Sequence, residues 1–154
     1  YLHVIQKSTG KDQVNLNFLF PLLTFENLEQ DLMLIVEKFF EIYFEKIHII
    51  RIFISNIIQF SEIRDLNYLI IPNMTSFLDD YLFEMKARKN ICGQRIDMVS
   101  MIILSSILKD VAFMTTFEKI EELDEDTKKR IAQKWETKIT TIINLFIELP
   151  VFDA

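Results

Sequence analysis

Four groups of side chains in this sequence have the types and spacing to do chemistry. Glu45-Lys-Ile-His48 is an E-x-x-H spacing, which sets both ligating side chains on one helix face, with Glu41 one turn earlier. In di-metal carboxylate bundles, two such motifs and two further glutamates converge on the interior. The second motif is missing, because the other histidine is His3. Half a site does not hold two metals, so we expect a histidine at a helix bend and no metal. Ser105, Ser106 and Asp110 lie in an otherwise apolar stretch. As a nucleophilic set they would need a histidine base and an oxyanion hole, and no G-x-S-x-G turn is present. They read as small residues that let helices approach, or as polar anchors in a mainly apolar cavity. A third group is aromatic and sulfur-bearing: Phe39, Phe40, Tyr43, Phe44, Tyr68, Met74, Phe77, Tyr81 and Met114. Such side chains line pockets for flat or greasy ligands, and they also fill ordinary cores. Fourth is Cys92 beside Gly93, where Arg88, Lys89 and Arg95 favour a thiolate. None of the four completes a catalytic set, so neither an enzyme nor a cofactor is expected.

Composition narrows the field further. The chain has 154 residues, half of them hydrophobic and 26% charged, enough for one domain with a true core. Two glycines exclude a fold of many tight turns and any Gly-rich phosphate loop. A single cysteine excludes an internal disulfide framework and a cysteine-based zinc site. Net charge is −6, and it divides evenly: 6 basic minus 9 acidic residues through Phe77, then 11 minus 14. Neither half is a basic module, and a surface of this sign repels phosphate backbones. No uncharged run is long enough to cross a bilayer, and nothing at the start resembles a signal peptide. We therefore expect no membrane contact and a cytoplasmic setting. The chain begins at Tyr1 rather than Met, and it reads as a fragment, a processed product or a chain lacking upstream residues.

Periodicity decides which elements position these side chains. Isoleucine and phenylalanine favour strands by propensity, yet the apolar spacing is helical almost throughout. Residues 1–25 read as an irregular lead-in or remnant linker, with Val14 to Leu23 a short helix or a pair of turns around Pro21. Asn27 can cap a helix in which Leu28, Leu32, Ile35, Phe39 and Ile42 recur at i, i+4, i+7, i+11 and i+14. A bend is expected near Lys46, followed by a core helix that is apolar on nearly every side. Ser61 starts a short helix to about Ile70. Pro72 then opens a helix that ends in a basic turn, with Asn90 suited to a left-handed cap. Asp97 can cap the next helix, Met98 to about Phe117. The acidic loop before Asp126 feeds a last helix whose stripe is Ile131, Trp135, Ile139, Ile142, Ile143 and Phe146, closed by Pro150. The expectation is an all-α domain over 26–150 with five to seven helices. Its last two helices should form an apolar four-helix interface with a second copy. Ile103, Ile107, Trp135, Ile139, Ile142, Ile143 and Phe146 are the candidate interface residues.

The stretches Leu32 to Tyr43, Phe60 to Ile63, Met74 to Arg88 and Asp97 to Phe113, with a final amphipathic helix around Trp135, follow one another in a recognisable order. From Asn27 to Leu149, about four-fifths of the chain, this resembles the C-terminal ligand-binding and dimerisation region of TetR/AcrR-family transcriptional regulators. The resemblance implies an effector-responsive repressor that is homodimeric through Met98–Phe117 and Asp126–Leu149. A small, mainly apolar effector would bind among the preceding helices. On the residues above, its candidate contacts are Phe40, Tyr43, Phe44, Tyr68, Met74, Phe77, Tyr81, Ser106, Asp110 and Met114. DNA would be bound only through the family's N-terminal helix-turn-helix, which these residues do not include. The competing readings are a small metal or enzymatic protein using Glu41, Glu45 and His48, or a helical interaction module without a ligand.

Overall fold

A computed structural model describes residues 16–48, 72–93, 95–147 and 149. Tyr68, the expected helix after Ser61 and the core helix beyond the bend lie outside the described residues. Among the described residues the fold is all-α, with no strand. A 3-10 turn, Asn17–Leu22, precedes four helices: α1 (Leu28–Glu45), α2 (Pro72–Ala87), α3 (Ile96–Thr116) and α4 (Glu125–Phe146). The main packing is α1 against α4 and α3, α2 against α3, and α3 against α4.

The starts and stops follow from individual residues. Asn27 is extended, and its side chain accepts the Gln30 N–H at 3.1 Å, which satisfies one of the free donors at the head of α1. The helix ends at Glu45, and the Lys46 N–H is shared between the Ile42 and Tyr43 carbonyls at the expected bend. The basic turn closing α2 is a Schellman motif: the Asn90 N–H reaches the Met85 carbonyl, and Lys89 donates to Lys86. Lys89, with φ 61, takes the left-handed position expected at Asn90. The Asn90 amide is occupied elsewhere, donating to the Phe25 carbonyl.

Two further boundaries differ from expectation. α3 begins at Ile96 after Arg95, without a side-chain cap, and Asp97 lies inside the first turn. There its charge still complements the positive helix end. α4 stops at Phe146, and Ile147 is already extended. Leu149 precedes a proline, which biases it away from helical backbone. The acidic loop does feed α4: Asp124 accepts the Thr127 N–H at 2.8 Å, and Glu125 and Asp126 occupy the first turn.

The core is one cluster drawn from every element. Leu32, Ile35, Phe39 and Tyr43 of α1 meet Leu78, Tyr81 and Met85 of α2, Ile103 and Ile107 of α3, and Trp135 and Ile139 of α4. The lead-in belongs to it from residue 16 onward, since Leu16, Leu19 and Leu23 are buried. The part of 1–25 that is described is thus an integral cover of the bundle rather than a linker. By length and composition α3 alone among the described helices is apolar enough to cross a membrane, and 56% of that stretch is buried inside the protein. Its wide apolar circumference is used by α1, α2 and α4.

Candidate functional site

The expected ligand contacts fall into separate environments. Tyr43, Met74 and Tyr81 are fully enclosed, and Phe40, Phe44, Phe77 and Met114 are buried. Phe77 sits between aromatic neighbours, 6.4 Å from Phe39 and 4.9 Å from Phe20. Phe40 meets Trp135 edge to face at 6.0 Å. It also floors a cavity of about 210 Å³ between α1 and the start of α4, rimmed by Glu37, Glu41, Lys128 and Lys129. Asp110 and Met114 border a smaller, open cavity of about 100 Å³, with the Arg130–Glu118 ion pair at 2.8 Å in its lining. These cavities do not join the expected set into one chamber.

Asp110 has a role that sequence alone did not assign. It is buried on α3, and three side chains from one turn of α4 converge on its carboxyl group. The Trp135 indole N–H donates to Oδ2 at 2.9 Å, Lys134 to Oδ1 at 3.0 Å, and Lys138 reaches Oδ2 at 3.3 Å. Lys138 also lies 4.9 Å from the Trp135 ring centroid, a cation–π distance. Positions 134, 135 and 138 share a face, so one acidic residue on the facing helix fixes the register of α3 against α4. Asp110 is a clamp between helices, with its acceptor capacity already used. Ser106, four residues earlier on α3, is half-buried.

A second buried carboxyl group was missed. Asp31 of α1 accepts the Thr24 N–H and hydroxyl on Oδ1, and the Phe25 N–H and the Tyr81 hydroxyl on Oδ2, at 2.7–3.1 Å. Burial, then this hydrogen bond to the Asp31 carboxyl, push the Tyr81 phenol far above the ordinary tyrosine range, so it stays a donor. Asp31 sits in the acidic first turn of α1, a place that a carboxylate also suits through the positive helix end alone.

Among the described residues, two interior hydroxyls have no hydrogen-bond partner: Tyr43 Oη on α1 and Ser100 Oγ on α3. Burial raises the Tyr43 phenol well above its ordinary value. Buried polar groups are nearly always paired, so an unpaired hydroxyl marks a place where a ligand group or a water gains a hydrogen bond.

The other candidates are on the surface. Glu45 and His48 are exposed, Glu41 faces Lys38 at 3.5 Å, and no group of three His, Cys, Asp or Glu side chains among the described residues is placed to hold a metal. Cys92 is exposed between α2 and α3. Of the basic residues near it, Arg88 is paired with Glu84 at 2.8 Å and covers the Phe25 ring.

The expected dimer residues turn inward. Ile103, Ile107, Trp135, Ile139, Ile142 and Ile143 are buried in the chain's own core, and Phe146 is partly buried. The stripe was read correctly as apolar, but α1 covers it. What α3 leaves uncovered is its opposite face, where Met98, Met101, Ser105, Ala112, Phe113 and Thr116 follow at helical spacing with Lys109 the one charge between them. Met101 is 67% exposed and Phe113 53%.

The chain matches no family model, no curated protein and no solved structure.

Proposed function

We propose that this chain is the effector-binding and homodimerisation part of a TetR/AcrR-type transcriptional regulator. A small, mainly apolar ligand would favour one arrangement of the helices over another. That differential affinity would alter the geometry of the dimer, and so DNA binding by helix-turn-helix heads outside these residues. The observation that carries this reading is the outer face of α3, an apolar and small-residue surface interrupted by one charge, Lys109, on a helix whose other sides are already packed. A single copy leaves it in water, whereas a two-fold axis would bury it against itself. The net charge of −6 fits a module that leaves DNA contact to another part of the protein. The interior hydroxyls of Tyr43 and Ser100 supply polar atoms for an otherwise apolar ligand.

Charge placed on the α3 face tests the reading. Met101→Glu and Phe113→Glu should keep wild-type helicity, because both side chains point to solvent, and should migrate as monomers where the unmodified chain is a dimer. Unchanged association in both variants would remove this face from the interface. A second reading, a helical interaction module without a ligand, draws support from the closed packing around Tyr43 and Tyr81. The two part on ligand binding: an effector that binds the native state must raise the melting temperature. The interaction module shows no such rise with any apolar compound.

A further inference from the structure

The chain from Leu16 to Asn27 lies over the bundle as a strap. Phe20 rests on Phe77 and Phe25 on Tyr81, with ring centroids 4.9 and 5.5 Å apart, so the strap covers two of the side chains expected around a ligand. Its own turn is closed by two bonds, from the Leu19 N–H to the Leu16 carbonyl and from the Leu23 N–H to the Phe20 carbonyl. Its polar attachment to α1 converges on Asp31. One oxygen of that group, Oδ2, is shared between the strap, through the Phe25 N–H, and α2, through the Tyr81 hydroxyl.

Closure is strained. Phe25 has φ 56, in the left-handed region that a bulky side chain occupies only when its surroundings impose it. Those surroundings are the Asp31 carboxyl on its N–H, the Asn90 amide on its carbonyl, and Arg88 over its ring at 4.6 Å. The closed strap also leaves Phe18 51% and Leu22 54% exposed, so it buries only one of its sides. A one-sided segment that carries a strained residue and gathers its bonds to α1 on one carboxyl group belongs to the parts of a fold that open locally, well before global unfolding.

We propose that Leu16–Asn27 is a gate to the apolar interior at Phe77 and Tyr81, latched by the Asp31–Tyr81 hydrogen bond. An apolar molecule that displaces the Tyr81 hydroxyl would loosen the carboxyl oxygen holding Phe25, and Phe25 could then relax to a negative φ as the strap lifts. Ligand binding would thereby be coupled to the position of the chain just before α1. The gate rests on the effector-binding reading; the latch does not.

Native-state amide exchange and uptake of a neutral apolar dye, N-phenyl-1-naphthylamine, separate the two. Tyr81→Phe keeps the ring and removes only the latch hydroxyl. The Thr24 and Phe25 amides should exchange about tenfold faster, the factor expected for one hydrogen bond to a buried carboxyl group. Helical amides of α3 and α4 should stay within about twofold. Thr24→Val, on an exposed residue, removes the hydroxyl bond to Asp31 together with the two that this hydroxyl accepts from the Glu26 and Asn27 N–H groups, and should loosen the same amides even if Tyr81→Phe folds poorly. Tyr43→Phe, which deletes an unpaired hydroxyl, should change neither amide. Dye association should accelerate in Tyr81→Phe in step with exchange. Unchanged Thr24 and Phe25 exchange in both latch variants, or a uniform rise across all helices, overturns the latch. Faster exchange without faster dye uptake overturns the gate. Exclusion of the dye from every variant sinks effector binding and the gate with it, while the exchange data still decide the latch.

Discussion

Asp31 and Asp110 are the two acidic side chains buried among the described residues, and both act by collecting donors from different elements. Around Asp110 the donors are unequal. The Trp135 indole is fully enclosed, whereas Lys134 keeps 58% of its side chain in solvent. Exposed ion pairs add under about 1 kcal/mol, but a buried donor left without its acceptor costs about 1–3 kcal/mol. Asp110→Ala should therefore lower stability by about 3 kcal/mol, because it orphans the indole and opens a gap. Lys134→Ala should cost under about 1 kcal/mol. Urea unfolding of both variants checks this, and equal losses would show that the lysine carries the clamp. At this scale the sequence was only partly legible. An aspartate in the middle of an apolar helix signals a buried polar partner, yet nothing in the chain says that Trp135 supplies it. That pairing depends on the register of α3 against α4, which spacing along one helix does not contain. Asp31 was hidden for a related reason: its partners, Thr24 and Tyr81, come from segments on either side of α1.

Helix ends were easier to read than helix contacts. Asn27 and Asp124 are the right residue types at the right offset, and each accepts an N–H three residues on. Asp97 is of the same type, but the chain reaches α3 already helical at Ile96, and cap chemistry without the matching backbone has no effect. Asp124 gives the element scale a pH test. The Thr127 hydrogen bonds hold its carboxyl below the ordinary aspartate range. A folded-state pKa below the unfolded one stabilises above the unfolded value, and the contribution fades as pH falls through the folded value. On acidification the head of α4 should therefore loosen in the wild type over that window. Asp124→Asn, which caps without titrating, should show a flatter pH dependence between pH 5 and pH 2 in denaturant titrations. Identical slopes in the two proteins would mean that the cap is not coupled to folding.

At the scale of the molecule, the described residues leave an apolar face of α3 that no other described element covers. Few glycines and the helical spacing of the apolar residues signalled long helices with wide apolar faces, and the described residues bear that out. The inner stripe of α4 looked like the place for a second copy because a stripe records that a face is covered, not by what. In the fold α1 covers it, and the residues left over are the less regular set of Met98, Met101, Ser105 and Phe113 on α3. A methionine- and serine-bearing face is adaptable and allows close approach, which suits an interface that shifts with ligand state. Whether that face is shared between copies is the question on which the proposed function turns, and sedimentation equilibrium of the unmodified chain at micromolar concentration answers it. The expected result is a single species of twice 18.4 kDa. A single species of 18.4 kDa at the same concentration would contradict the dimer and the regulatory reading built on it.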